Sequence, residues 1–550
     1  MKRKHLRSGG AIPFESDEAA AKRASRWRPG PSSIAELNDW PRANADSILG
    51  NPEMACRLFT TMSRPICVYS DYSGYASEVE SLNRGFPALQ QVGRWPVHLS
   101  SPFRFERTCD VGLTQLDVLQ AISSDCTSGR MCVMKDVLDH MTPEARRHVE
   151  QMTPSKSSGR QQSEEAYRKM LSWLFERRAM AFPQNLMQWC HVHQRDCPVH
   201  PSMKPAYMQD SGGETGALFV NIAGVTCDGW SSMGKQGRFG HASEQCHSVY
   251  VCERRVRAEQ ECEDIVFTEC TKKYPIADKM QKPLMGTHHV VWTVTGPELF
   301  GHPVRRMRVL GASINRSRLA WVGPSSQEGI VAEFERLFYR AVMVGGGEYF
   351  CAPDKERHSM YADLAAGQTN HIPMEQIESM PDISPLLPSL LPVGQTQVLE
   401  QWLQRRAEFE TPGGELLADL DHNMPMKRGG VLWPTQLTHG TVAHLPRGGP
   451  VRLATALEHL GAQGYCVYSQ GACGTCETGS ASTPVSPLVN IFRGLSAGKT
   501  KELVGRGIHV AVLSAWMFYV FANIVPLRRK ADIRMLRGLS FASDADDDVE

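Results

Sequence analysis

The chain has little of what marks several large protein classes. It carries no excess of either charge: 60 Lys and Arg stand against 59 Asp and Glu, a net of +1 over 550 residues. A general basic coat is excluded, so any nucleic-acid contact must rest on local basic surface. No internal repeat is visible. The 16 cysteines lack the density and regular spacing of a disulfide framework, which favours a reducing compartment. The expected location is intracellular, and nuclear if the source is eukaryotic. Met1-Lys2-Arg3-Lys4-His5-Leu6-Arg7 is basic but has no apolar stretch after it, so a solvated end is expected rather than a secretory signal. The apolar run Ile508 to Val525 is barely long enough to span a bilayer. Arg506 precedes it and Arg528-Arg529-Lys530 follow, giving no charge asymmetry, so it is expected to be a buried helix without membrane contact.

What is present describes a globular protein: 41% hydrophobic and 22% charged residues, in a chain too long for one ordinary core. Residues 1–60 read as a polar, disordered lead. Pro65 to Ser70, Phe103 to Asp110 and Met131 to Asp136 are strand candidates separated by helix-like stretches, the alternation of a doubly wound, mostly parallel α/β sheet. An insertion occupies about 153–215. Leu218 to Ile222, Asp264 to Thr268 and His288 to Thr295 follow as strands, then Met307 to Ala312 and Leu319 to Val322 as a hairpin-like pair. These make 61–324 one catalytic-type domain. The Pro- and Gly-rich stretch 325–430 reads as a smaller variable unit, 431–530 as a return to the first domain, and 531–550 as an acidic tail.

Chemistry concentrates at a few points. Cys227 lies in Val225-Thr226-Cys227-Asp228-Gly229-Trp230-Ser231, a small-residue turn after an apolar strand, which can lift a nucleophile above a sheet. Gly234-Lys235-Gln236-Gly237-Arg238-Phe239-Gly240 follows as a candidate lid. At the carboxyl ends of the first three strands stand Asp71 with Ser73-Gly74-Tyr75, then Asp110, then Asp136. Ligands bind outside such strand ends. Gly74 lets backbone approach, Asp110 suits two ribose hydroxyls, and Asp136 suits the exocyclic amine of adenine. Each acid alone is also an ordinary cap or turn residue.

In this order of motifs the chain resembles the cytosine carbon-5 DNA methyltransferase family. Ser70-Asp71-Tyr72-Ser73-Gly74-Tyr75 is similar to the cofactor motif, with Ala76 at the usual second glycine. Cys109-Asp110 and Asp136 match the second and third motifs, and Thr226-Cys227-Asp228-Gly229-Trp230-Ser231 the nucleophile motif. Phe267-Thr268-Glu269-Cys270-Thr271 stands at E-N-V, and Pro303-Val304-Arg305-Arg306-Met307-Arg308 at Q-x-R-x-R. Arg452 to His459 with Gln463-Gly464-Tyr465, and Gly505-Arg506-Gly507-Ile508-His509, resemble the ninth and tenth motifs. The resemblance spans about Pro65 to Val525. It implies a Rossmann-like fold, S-adenosyl-L-methionine as cofactor, and methyl transfer to carbon 5 of a flipped cytosine. DNA is the implied partner, read by the 325–430 unit, with RNA as an alternative substrate. Cys227 would be the nucleophile, Glu269 the acid, and Arg306 and Arg308 would orient the base. Asp71, Ser73, Gly74, Tyr75, Asp110 and Asp136 would hold the cofactor. Thr226, Asp228, Cys270, Val304 and Arg506 depart from the family's residues. These departures motivate the other reading, a catalytically impaired partner that binds nucleic acid or cofactor.

Cys190, His191, His193, Cys197 and His200 crowd one part of the insertion. Their spacing matches no ordinary zinc finger, and wrapping one short segment around an ion is cramped, so no metal is expected. Cys473-Gly474-Thr475-Cys476, without a second pair nearby, reads as loop.

Overall fold

The computed structural model describes residues 26–96, 99–127, 131–153, 159–199, 216–226, 228–230, 238–241, 243–367, 372–380, 382–404, 415–421, 430–468 and 484–527. Seven strands, numbered here in chain order, form the central sheet: β1 (Ile66–Asp71), β2 (Phe103–Cys109), β3 (Cys132–Met134), β4 (Leu218–Gly224), β5 (Ile265–Thr271), β6 (His288–Thr295) and β7 (Arg308–Asn315). Their order is β3-β2-β1-β4-β5-β7-β6. The first five run parallel; β7 is antiparallel to both β5 and β6. In β1, β4 and β5 nearly every residue is buried, the continuous apolar signature of a sheet covered on both faces. The fold is the expected doubly wound, mostly parallel α/β sheet.

One face is covered by α1 (Trp40–Leu49), α2 (Pro52–Met62), α3 (Ser77–Gly93) and, last in the chain, the helix Val510–Ala522. All thirteen residues of Val510–Ala522 are buried. Phe521 meets Phe267 of β5 edge-on at 5.6 Å, and the Trp516 indole donates to Gly311 O at 3.2 Å. Gly507-Ile508-His509 separates it from the preceding helix Ala497–Arg506. At 1.5 Å per residue it measures roughly 20 Å, so the apolar run is the expected buried helix, apolar all round because protein surrounds it. The opposite face carries the helix Ser243–Glu259, packed in turn on the insertion helix Arg160–Glu176.

Three expectations change. The stretch before residue 60 is not a disordered lead where it is described: α2 places Met54, Leu58 and Met62 at four-residue spacing into the core, and Asn51 caps it through Glu53 N and Met54 N. Its polar composition hid a narrow apolar stripe. The pair near 310 and 320 is not a hairpin. Arg308–Asn315 inserts between β5 and β6, while Leu319–Trp321 pairs with Ile524–Pro526. Finally, the variable unit does not span 325–430. The helix Gln327–Phe338 belongs to the main core through Ile330, Phe334 and Phe338. A separate core runs from Tyr361 to Leu453, closed by a small sheet of Glu415–Asp419, Val442–Pro446 and Arg452–Leu453.

Candidate active site

Strand order reverses between β1 and β4, and there the carboxyl ends of the two strands part to leave a crevice. Its walls are Ser70, Tyr72, Ser73, Gly74, Ser77 and Glu78 from the β1–α3 turn, Ile222 and Gly224 from β4, and Arg506-Gly507-Ile508. The turn is tightly wound: Tyr72, Gly74 and Ala76 have φ of 53°, 57° and 56°. Gly74 adopts the left-handed region freely, whereas Tyr72 and Ala76 each store on the order of 1 kcal/mol, strain of the kind that collects at ligand sites. Ala76 thus adopts a conformation that glycine would take without strain.

Asp110 ties the second motif to the first. Its carboxylate accepts from Gly74 N at 2.8 Å and Gly112 N at 3.1 Å. Burial raises its pKa, opposed by those two N–H groups and by the Arg506 charge. Ser73 lines the crevice, and its Oγ accepts from Cys109 N at 3.1 Å. Asp136 sits just past β3, where it caps the next turn through Leu138 N at 2.9 Å, with Arg146 3.6 Å away.

Two cofactor residues expected from sequence point elsewhere. The Asp71 carboxylate is fully buried beneath the crevice, accepting from Arg107 Nη2 at 2.7 Å and Asn221 Nδ2 at 2.9 Å, with Arg254 at 3.4 Å. Burial would raise its pKa; Arg107 and Arg254 outweigh that and hold it below the usual value. It belongs to an ionic network with Glu253, Arg257, Glu263 and His140 that braces the sheet. Alternation along a strand explains this: the acid that closes β1 faces the layer below. The Tyr75 ring is also buried, edge-on to Phe492 at 5.3 Å and packed on Tyr465.

A buried carboxyl approaches the crevice from β5. Glu269 pairs in register with Gly224, and its O accepts from Val225 N at 3.0 Å. A Cβ on Gly224 would lie 3.9 Å from Glu269 Oε2 and 3.4 Å from Tyr72 O. One residue therefore separates the acid from the crevice. Glu269 is buried, and Arg308 Nε lies 2.9 Å from its Oε1. Burial raises the Glu269 pKa, with Arg308 and then Arg306 pulling it back. Arg306, also buried, donates to Gly505 O at 3.3 Å and closely to Gly507 O, fastening the Gly505–Gly507 segment over the crevice. It positions that segment, while Arg308 holds the acid.

Cys227 lies outside the described residues, as does 231–237. The chain on either side is anchored. Val225 is pinned to Glu269, and the Trp230 indole donates to Glu244 Oε1 at 2.9 Å beside a buried Glu244–Lys279 ion pair. Asp228 is exposed, so water screens its charge.

Order and position of these elements follow the cytosine carbon-5 methyltransferase resemblance. The resemblance is one of separate motifs in this chain. No family model and no curated protein matches it. Among solved structures, S. pombe Dnmt2 methyltransferase is similar at 9% identity with a TM-score of 0.39, covering 83% of this chain and 98% of that one. The Entamoeba histolytica methyltransferase EhMeth gives 10% and 0.38, and a Spodoptera frugiperda DNMT2 variant 10% and 0.35, with coverage of 83% of this chain in both cases. Such scores transfer neither substrate nor chemistry.

Glu78 was not singled out by sequence, where it only opens a helix. It is buried on the crevice wall, its Oε1 has no hydrogen-bond partner among the described residues, and burial pushes its carboxyl up to about 7 against a hydrogen bond with Ser70. Arg506, read from sequence as a flanking charge and a departure from the tenth motif, brings a cation to the same wall. The insertion differs from expectation too. Cys190, His193 and Cys197 meet Cys132 of β3, so the cluster is not confined to one segment; His200 lies outside the described residues.

Proposed function

We propose that this chain is an S-adenosylmethionine-dependent methyltransferase acting on carbon 5 of cytosine in DNA. The observation that carries the reading is the placement of Glu269: a buried carboxyl, paired with Arg308, one glycine away from the crevice and hydrogen-bonded through its backbone to the strand exit that leads to Cys227.

The crevice residues fit the cofactor. Arg506 offers a cation for a carboxylate and Glu78 an unsatisfied acceptor for an ammonium, and Asp110, at the end of β2 and bonded to Gly74 of the crevice wall, would accept from the ribose hydroxyls. Bound there, S-adenosylmethionine supplies an electrophilic methyl group. The protein's part is to make carbon 5 nucleophilic. The Cys227 thiolate adds to carbon 6 of the flipped base, and the ring electrons move toward carbon 5 and nitrogen 3. Glu269, its pKa raised by burial, donates a hydrogen bond from its protonated form to nitrogen 3 and stabilises the charge arising there. Arg308 fixes the carboxyl's orientation. After transfer, loss of the carbon-5 proton and departure of the Cys227 sulfur restore the aromatic ring. The unit around Tyr361–Leu453 would read the nucleic acid.

Methyl-labelled S-adenosylmethionine, incubated with the full chain and either duplex DNA or RNA, tests the proposal after digestion to nucleosides. Label in 5-methyldeoxycytidine, lost in Cys227→Ser, is expected. Label confined to RNA would move the substrate to RNA. Binding of cofactor and DNA without label on either polymer would leave a binding protein instead.

A further inference from the structure

A second cluster lies at the β3 edge of the sheet, outside the proposed reaction centre. Cys132 is the first residue of β3. The insertion contributes a two-stranded hairpin, Met187–Cys190 and Arg195–Pro198, with Gln188 opposite Cys197 and Cys190 opposite Arg195. His193 sits in its turn, which Gln194 closes with a left-handed φ of 52°. The sulfurs of Cys132 and Cys190 each lie 3.4 Å from His193 Nδ1, and that of Cys197 lies 3.5 Å away. All four atoms fall within 4.8 Å of one another.

Hydrogen bonding cannot account for this convergence. A ring nitrogen holds one proton or one lone pair, so at most one of three sulfurs can be properly partnered by His193 Nδ1. A central ion satisfies all four at once. With metal–sulfur bonds of about 2.3 Å and a metal–nitrogen bond of about 2.0–2.1 Å, a tetrahedron puts sulfur and nitrogen about 3.6 Å apart and two sulfurs about 3.8 Å apart. The sulfur–nitrogen distances of 3.4–3.5 Å match, and the sulfurs lie within 4.8 Å of one another. His193 N also donates to Cys190 Sγ at 3.5 Å, the backbone support expected for a thiolate ligand. Among the described residues a second group of potential ligands, the buried Asp71, Cys109 and His140, differs: Arg107 and Arg254 already neutralise its carboxylate.

We infer that Cys132, Cys190, His193 and Cys197 form a structural zinc site that fastens the insertion to the edge of the sheet. Three thiolates and one imidazole in a closed tetrahedron select Zn²⁺ and leave no position for substrate. Neighbouring bonds show what the ion would brace. His191 N donates to Val133 O at 2.8 Å, Gln120 Nε2 to His191 O at 2.8 Å, and Gln188 Nε2 to Asp139 Oδ2 at 3.1 Å. The hairpin thus abuts the Asp136–His140 turn beside the crevice. The inference holds whichever substrate the crevice serves.

The test uses full-length protein purified under reducing conditions without chelator. Elemental analysis is expected to give one zinc per chain, retained in Cys56→Ser, at an exposed cysteine remote in sequence, and lost in Cys132→Ser. The chelator-stripped wild type, reloaded with Co²⁺, should show the intense visible bands of tetrahedral cobalt and a thiolate charge-transfer band; this reading stands even if Cys132→Ser fails to fold. Metal-free protein that gives no tetrahedral cobalt spectrum would overturn the site. So would full zinc retention in folded Cys132→Ser, which would place the ligands elsewhere, Cys473 and Cys476 included.

Discussion

Removing Arg308 should expose how the protein holds its acid. In Arg308→Met the side chain keeps its bulk, but Glu269 loses the guanidinium 2.9 Å from its Oε1, at a site where the two side chains are only 17% and 8% exposed. At an effective dielectric of 20, unit charges at that separation attract by about 6 kcal/mol, most of it offset in the intact pair by desolvation. Breaking a buried pair by removing one partner costs about 3–5 kcal/mol. Protonation limits the loss. Glu269 already has a raised pKa, chiefly from burial, with Arg308 the main opposing influence. Without Arg308 it rises further. A carboxyl raised on folding leaves stability intact below its unfolded pKa and removes it as pH climbs toward the folded value. Keeping the acid neutral costs at most about 1.4 kcal/mol for each pH unit above 4.5, so about 1.4 kcal/mol at pH 5.5 and nearly 5 kcal/mol at pH 8. Hydrogen exchange at Val266–Cys270 and Val309–Ala312 reports local opening in a chain with several cores. Arg308→Met should lower protection there more at pH 8 than at pH 5.5, by less than about 3 kcal/mol because the wild type already bears part of this cost. Adding Glu269→Gln should remove the difference. Equal losses at both pH values would refute the account of this pair.

Asp110→Ala should weaken S-adenosylmethionine at least tenfold by calorimetry and loosen the Gly74 and Gly112 amides, whereas Asp110→Asn, which keeps one acceptor oxygen and turns the other into a donor, should restore protection at only one of the two amides and not full affinity. Glu78, pushed up to about 7 by burial, is a raised carboxyl: its share of stability is complete below about pH 4.5 and lost as pH rises through 7. Denaturation of the cofactor-free protein should therefore show Glu78→Gln gaining up to about 3 kcal/mol on the wild type between pH 5 and pH 8. Gly507→Ala would set a Cβ 2.1 Å from the Tyr75 ring, so the Gly505–Gly507 segment must shift; cofactor affinity should fall sharply, while Gly224→Ala, with no contact closer than 3.4 Å, should fold normally.

Much of this architecture is legible in the sequence because it depends on local patterns. Buried parallel strands read as continuous apolar runs, as in β1 and β4, and β2 and β6 also lie close to where the sequence places strands. The pairing of Glu269 with Arg308 follows from two residues on adjacent strands whose types are complementary. Less legible was what depends on direction. Asp71 and Tyr75 sit in the expected motif, yet their side chains turn into the ionic network and an aromatic core. Arg306 is near the site, but its Nη2 is committed to the Gly505–Gly507 backbone. Cys132 gave no signal as a ligand, since an isolated cysteine in an apolar strand resembles any small core residue. Only the docking of a distant hairpin makes it the fourth corner of a cluster. The departures Ala76 and Arg506 look like losses in one dimension; in three, one keeps the left-handed turn and the other places a cation on the crevice wall.

The central claim is that Cys227 attacks carbon 6 of a cytosine held against Glu269. A duplex carrying 5-fluorocytosine tests it directly, because methyl transfer leaves no carbon-5 proton to remove and the enzyme–base bond cannot be released. Incubated with S-adenosylmethionine, the full chain should form a complex stable to denaturation, with the nucleotide mass on the peptide containing Cys227 and no complex from Cys227→Ser. A wild-type chain that binds cofactor and duplex yet forms no such complex between pH 6 and pH 9, or forms it through another cysteine, would contradict the account.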